Sequence, residues 1–179
     1  VIFHRNTTFP VAGQIGVYGA AEDSVYFEPA EGNDWKGIAI SGGDSSFMEY
    51  AVITGSKASG ITLAGAETRF GLYNSKIAGN SGANGAGISV DSASLTLENC
   101  VVSANVASNY GGGIHLSGLG NVTVLNSLLK TNSANGAGGG GMHVASGEAL
   151  VTNSTITGNV GRYGSGLDAA GADASLTAV

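Results

Sequence analysis

The sequence predicts an all-β solenoid of about seven coils, 23–28 residues each, and three observations carry that expectation. First, a glycine followed by an aliphatic residue recurs at Gly37, Gly60, Gly87, Gly113, Gly141 and Gly166. The intervals are 23, 27, 26, 28 and 25 residues, inside the period range of stacked repeats. Second, each interval holds two short runs in which apolar residues recur at a spacing of two, the pattern of strands buried on one face. Third, an Asn-Ser or Asn-Cys pair closes the second run, with another asparagine six residues after the first.

Taken in order, the opening strands carry Ile61 and Leu63, Ile88 and Val90, Ile114 and Leu116, then Met142 and Val144. The strands that follow carry Phe70, Leu72 and Ile77; Leu95, Leu97 and Val102; Val122, Val124 and Leu129; and Ala149, Val151 and Ile156. Runs this short, joined by turns too short for a crossover helix, bury their apolar faces only by stacking coil on coil. Neighbouring strands then lie about 4.8 Å apart.

Two asparagine columns mark the turns. Asn80, Asn105, Asn132 and Asn159 each follow an aliphatic residue by three positions, and Asn74, Asn99, Asn126 and Asn153 precede them. Asparagine tolerates left-handed backbone angles, and its amide pairs with an equivalent amide one coil away, so both columns are expected to form structural ladders. Ser75, Cys100, Ser127 and Ser154 follow the second column. Cys100 therefore takes the place of a small packing residue in a corner, without a base or cation in its own coil to activate it.

The glycine-rich arcs, Asn80 to Gly87, Ser108 to Gly113, Asn132 to Gly141 and Gly158 to Gly166, read as flexible connections nearly without charge. Before Gly37 the pattern is less regular. Ile15 and Val17, Val25 and Phe27, and Trp35 to Ile38 point to earlier coils of the same stack, with Trp35 covering a corner. We therefore expect one domain over 1–179: irregular coils at 1–36, regular coils at 37–169 and the start of a further coil at 170–179. The chain reads as a piece of a longer protein, and exposed strand edges at its ends invite adjoining coils or end-to-end self-association.

Composition narrows the function classes. Charged residues make up 11% of the chain against about 25% in average proteins, and the formal net charge is −6. Without a cationic stripe, nucleic acid is not an expected partner. A single cysteine permits neither an internal disulfide nor a thiolate metal cage, and no cofactor is expected. No apolar run reaches eighteen residues, so no membrane span is expected in this segment. The glycine-dense stretch Gly136 to Gly141 lacks a following Lys-Ser or Lys-Thr, which argues against a phosphate loop.

Tyr110-Gly-Gly-Gly-Ile-His-Leu116, followed by Val122-Thr-Val-Leu-Asn-Ser-Leu-Leu-Lys-Thr-Asn132, resembles the repeat of right-handed parallel β-helix proteins. At fold level the chain is similar to the pectate-lyase-like superfamily, and more narrowly to polymorphic outer-membrane or autotransporter passenger repeats. Ile77, Val102, Leu129 and Ile156 stand where those repeats carry phenylalanine. The resemblance implies an extracellular or cell-surface location and affinity for polysaccharide. It implies no single activity, because one fold hosts many chemistries.

Lyases of that superfamily share a calcium-holding aspartate cluster with a basic residue, and its hydrolases carry paired aspartates. Here Asp91, Glu98, Glu148 and Asp168 fall at unrelated coil positions. The leading expectation is thus a non-catalytic structural or adhesive solenoid of a bacterial surface protein. A pectate-lyase-like lyase, hydrolase or epimerase is the first alternative, and a filament subunit assembled end to end is the second.

Two residue sets stand out as candidate sites. The middle residue of the opening strand is Ser89, His115, His143 and Asp168 in successive coils. Strand alternation points it away from the core, so His115, His143 and Asp168 are expected in a row on the surface. Such a row is either a divalent-metal site or a set of plain solvent-facing polar positions. Tyr110 and Tyr163, in two of the arcs, are expected on one edge as sugar-stacking rings or as ordinary surface.

Overall fold

The computed structural model describes residues 1–43, 45–136 and 138–179, and among them the regular structure is β-strand alone. Among the described residues no helix is long and apolar enough to cross a membrane. The strands form parallel sheets wound as a solenoid, which we describe as faces. The first face stacks Thr7–Ala12, Trp35–Ser41, Ile61–Ala64, Ile88–Asp91, Ile114–Ser117, Met142–Val144 and Leu167–Ala169. The second runs in seven strands from Gly16–Tyr18 to Ala174–Ala178, and the third in seven from Ile2–Phe3 to Thr155–Thr157. A shorter fourth face holds Ser81–Asn84, Val106–Tyr110, Ser133–Ala134 and Val160–Gly161.

Register places like residue over like. Ile61, Ile88, Ile114 and Met142 are successive partners on the first face, and Phe70, Leu95, Val122 and Ala149 on the second. Their alternating partners form one apolar interior, where Leu63, Leu72, Ile77, Val90, Leu97 and Leu129 are fully buried. Each such side chain contributes roughly 1.5–3 kcal/mol of burial, but one coil cannot enclose it. The interior exists only between neighbours.

The early coils close with aromatic rings instead of aliphatic rows. Phe3 stacks on Trp35 at 4.4 Å with planes 5° apart, and Phe9 and Phe27 pack beside Phe3. Trp35 is fully buried, and its indole N–H donates to the Thr54 carbonyl at 2.8 Å. It lies inside the stack rather than over a corner. A register shift between Thr7 and Phe9 accompanies this less regular pattern.

The two asparagine columns divide the work that sequence assigned to both. Asn80, Asn105 and Asn132 are buried, and each donates Nδ2 to the Oδ1 of the next asparagine at 3.0 Å, ending on Asn159. The same Oδ1 atoms accept the preceding asparagine's backbone N–H, at 3.0, 3.1 and 2.9 Å. This is the ladder. The left-handed angle before it belongs to Gly79, Ala104, Thr131 and Gly158.

In the other column, Asn74, Asn99, Asn126 and Asn153 themselves adopt φ of 49°, 55°, 48° and 48°. Their side chains face outward, so the expected second amide ladder is corrected to a column of turn residues. Asn74 donates to the Glu49 carboxylate at 3.2 Å, off the column axis. The physical reason is position. A side chain at a left-handed corner leaves the interior, whereas one residue past such a corner it turns into it.

Candidate functional site

The first face sets His115 over Ser89, His143 over His115 and Asp168 over His143 in direct register. The row is present, but it is not on the surface. His115 is only 7% exposed and His143 only 4%. The glycine arcs are responsible, because they fold back onto the outer side of the strands instead of extending from it.

Gly111 and Gly138 show how the arcs return. At φ of +58° and +83° they reverse the chain where an L side chain is strained. A Cβ on Gly111 would meet the His115 Cβ at 2.9 Å; one on Gly138 would meet His143 Nδ1 at 2.5 Å and Asp168 Oδ2 at 3.0 Å. Tyr110, which ends a fourth-face strand, lays its ring over both imidazoles, 6.1 Å from His115 and 4.8 Å from His143.

The two imidazoles stack on one another at 5.3 Å with planes 2° apart. Their lone pairs lie in parallel ring planes and do not converge on a common point. Among the described residues no group of three or more His, Cys, Asp or Glu is placed to hold a metal ion. The placement of His115, His143 and Asp168 thus adds no support to the metal-site expectation. What the row contains instead is a pair: His143 Nδ1 lies 2.7 Å from Asp168 Oδ2. The carboxylate accepts from Nδ1–H, which orients the ring and leaves Nε2 as its second polar atom.

His115 is held differently. Burial, then the neighbouring His143, lower its pKa from 6.5 to about 4, opposed by the Asp91 carboxylate. It is therefore neutral at pH 7. Its Nδ1 is buried and has no hydrogen-bond partner, as is Asn84 Oδ1; no other buried side-chain polar atom is left unpaired among the described residues. Asn84 and His115 are among the residues that line one pocket of about 350 Å³, with Tyr110, His143, Ala145 and Ala170.

A folded-state pKa below the unfolded value means the unfolded chain takes up the proton first. His115 thus contributes stability that is present above pH 6.5 and is lost as pH falls toward about 4. Melting temperature is expected to drop across that window. In the His115→Gln variant this part of the slope should vanish, and an unchanged melting profile against pH would contradict the assignment.

Tyr163 does not join this pocket. It is 58% exposed, with the Arg162 guanidinium 5.7 Å from its ring centroid. Tyr110 ends one strand of the fourth face, and Tyr163 follows another strand of that face, Val160–Gly161, two coils on. Two further grooves, of about 300 and 360 Å³, lie along the outer side of the second face, near Phe47 and Tyr73 and near Thr123 and Leu150. Neither is lined by an unpaired buried polar atom.

Cys100 is buried at the third-face corner, where its thiol donates to the Leu72 and Glu98 carbonyls at 3.2 and 3.3 Å. Burial pushes its pKa up to about 11, so it is a packing group without thiolate character at neutral pH. Ser127 serves the next coil in the same way, donating to Leu125 and accepting the Cys100 backbone N–H.

Sequence reasoning found the His115–His143–Asp168 row but missed Asn84. The signal was the repeat itself, since Asn84 and Tyr110 are register partners on the fourth face, as Ile88 and Ile114 are on the first. That fourth face was not anticipated. Its residues are small and lack the alternation by which strands are recognised.

Neither a curated protein nor a solved structure matches the chain. A family model described as the right handed beta helix region matches residues 11–178, which takes in every coil described above except its outermost residues. With parallel sheets stacked coil on coil and a matching family model over nearly its whole length, the chain belongs to the right-handed β-helix family.

Proposed function

We propose that this β-helix is a non-catalytic structural or adhesive segment of an extracellular bacterial surface protein, and that it binds glycans. The observation that carries the reading is the plainness of the coil. Among the described residues the longest connection between strands lies between Ala134 and Met142, and the arcs fold onto the faces. Among the described residues no connection is long enough to close over a long substrate. Low charge and three seven-stranded faces suit a rigid presenting surface.

One feature favours a second, enzymatic reading on polysaccharide: the His143–Asp168 pair beside the pocket has the arrangement of a general base and its orienting carboxylate. A glycan-array screen coupled to a reducing-sugar release assay separates the two. Binding without release is the expected outcome. Release of reducing ends that stops in the His143→Ala variant would replace the adhesive reading with the enzymatic one, and an array without a single bound glycan would remove the binding claim.

A further inference from the structure

We propose that the groove on the outer side of the second face, between Phe47, Arg69, Gly71, Tyr73, Ser94 and Thr96, is a stacking site for a pyranose ring. The proposal rests on the glycan reading above and adds the place at which a sugar ring is held and the chemistry that holds it.

The groove exists because a side chain is missing. Phe47, Gly71, Thr96 and Thr123 are successive register partners that point away from the core, so Gly71 stands where the next two coils carry threonine. Gly71 lies in the extended strand Arg69–Tyr73 and has no need of glycine's conformational freedom. What it supplies is room. A Cβ at Gly71 would meet the Tyr73 hydroxyl at 2.5 Å and the ring's Cε2 and Cζ at 2.6 and 2.7 Å, so Tyr73 leans back along its own strand across the gap.

Gly16 makes similar room in the same outward row. A Cβ there would meet the rings of Tyr18 at 3.3 Å and Phe47 at 3.5 Å, and those two rings pack edge to face at 4.9 Å. Tyr18 is 76% exposed, and Phe47 and Tyr73 are half-buried. Three aromatic rings thus lie against the outside of the sheet, where a ligand rather than the core meets them.

The polar partners and the size point to a sugar as the occupant. Among the described residues, the side chains of Arg69, Tyr73, Ser94 and Thr96 make no hydrogen bond or ion pair within the chain. A guanidinium offers five donors, and each hydroxyl both donates and accepts. A pyranose has the complementary construction, with C–H groups on its ring faces and hydroxyls around its rim. The groove holds about 300 Å³, at the lower end for ligand sites and the size of one ring. A protein partner would need about 800 Å² on this side, yet in the next coil the outward positions are already Ser94, Thr96 and Glu98.

The test is NMR titration with cellotetraose, whose rings present C–H groups on both faces and so stack whichever way round the chain lies. The unmodified protein is expected to bind it with shift changes at Gly71 and Thr96 and none at Gly111 or Gly138. Tyr73→Ala should weaken binding about tenfold, the equivalent of about 1.4 kcal/mol, while Tyr73→Phe keeps the ring and most of the affinity. Gly71→Ala keeps every ring but displaces Tyr73, and should lose affinity as well. Arg69 is exposed, so Arg69→Gln keeps the fold, and it should cost about threefold to tenfold. Tyr163→Ala, at a distant exposed tyrosine, should bind as before.

Binding of cellotetraose that survives both Tyr73→Ala and Arg69→Gln, or shift changes confined to the first-face arcs, overturns this site and leaves the glycan reading standing. Failure of the unmodified protein to bind cellotetraose also overturns the site. The glycan reading itself falls only with an array on which no glycan is bound.

Discussion

Replacing Asn105 with alanine is expected to lower unfolding free energy by about 3–4 kcal/mol, one of the largest single effects available in this chain. Its side chain is fully buried and makes four hydrogen bonds. Nδ2 donates to the Ile77 carbonyl at 3.1 Å and to Asn132 Oδ1 at 3.0 Å, while Oδ1 accepts from the Asn80 backbone N–H and from Asn80 Nδ2, each at 3.0 Å. Alanine leaves the Asn80 donors facing a dry interior. Each orphaned group costs about 1–3 kcal/mol.

The control is Asn126→Ala, in the outward column. That residue is exposed and adopts φ of 48°, so its substitution forfeits only the tolerance of asparagine for a left-handed angle, about 1 kcal/mol. Equilibrium urea unfolding of both variants measures the contrast. Equal losses would mean that the two columns do the same work and that the interior ladder is not the stronger of them.

A methyl group on Gly87 is expected to destabilise the stack by about 2–4 kcal/mol. It would lie 2.5 Å from the Gly113 carbonyl oxygen, 3.0 Å from Asn105 Nδ2 and 3.2 Å from Val102 Cγ1. None of these atoms retreats cheaply. The Gly113 carbonyl accepts the Ile88 N–H at 2.9 Å, so moving it opens the ladder between two coils. The same contact recurs at Gly60, Gly113 and Gly141 against the amides of Asn80, Asn132 and Asn159.

That contact also explains why glycine and asparagine recur together: the opening glycine is the space into which the ladder amide fits. Gly87→Ala should therefore couple to Asn105→Ala. A double mutant that loses less than the sum of the two, by about 0.5 kcal/mol or more, is the expected result in the urea experiment. Strict additivity would show that the two residues act independently.

Much of the architecture was legible in the chain. The glycine interval and the spacing-of-two alternation name the residues that face inward, and Ile61, Ile88, Ile114 and Met142 follow one another in register as that pattern requires. The division between the asparagine columns was not legible. Asn74 and Asn80 are one residue type serving two needs, a left-handed corner and a buried amide, and composition does not reveal which side of the corner a residue occupies.

The candidate site was half legible, for a related reason. Alternation places His115 and His143 opposite the core and, with the repeat, sets them in one row with Asp168. It carries no information on what covers that outer side.

The sequence by itself determined the coil, its period, the inward residues and the order in which side chains repeat along each face, because these depend on local periodicity and repeated contact with like neighbours. Only the tertiary structure decided that the histidines are covered, that Tyr110 lies over them and that Asn84 reaches the same pocket. Those outcomes depend on left-handed turns at glycines within the arcs. Glycine permits several such paths at similar energy, and contact with the neighbouring coil selects among them.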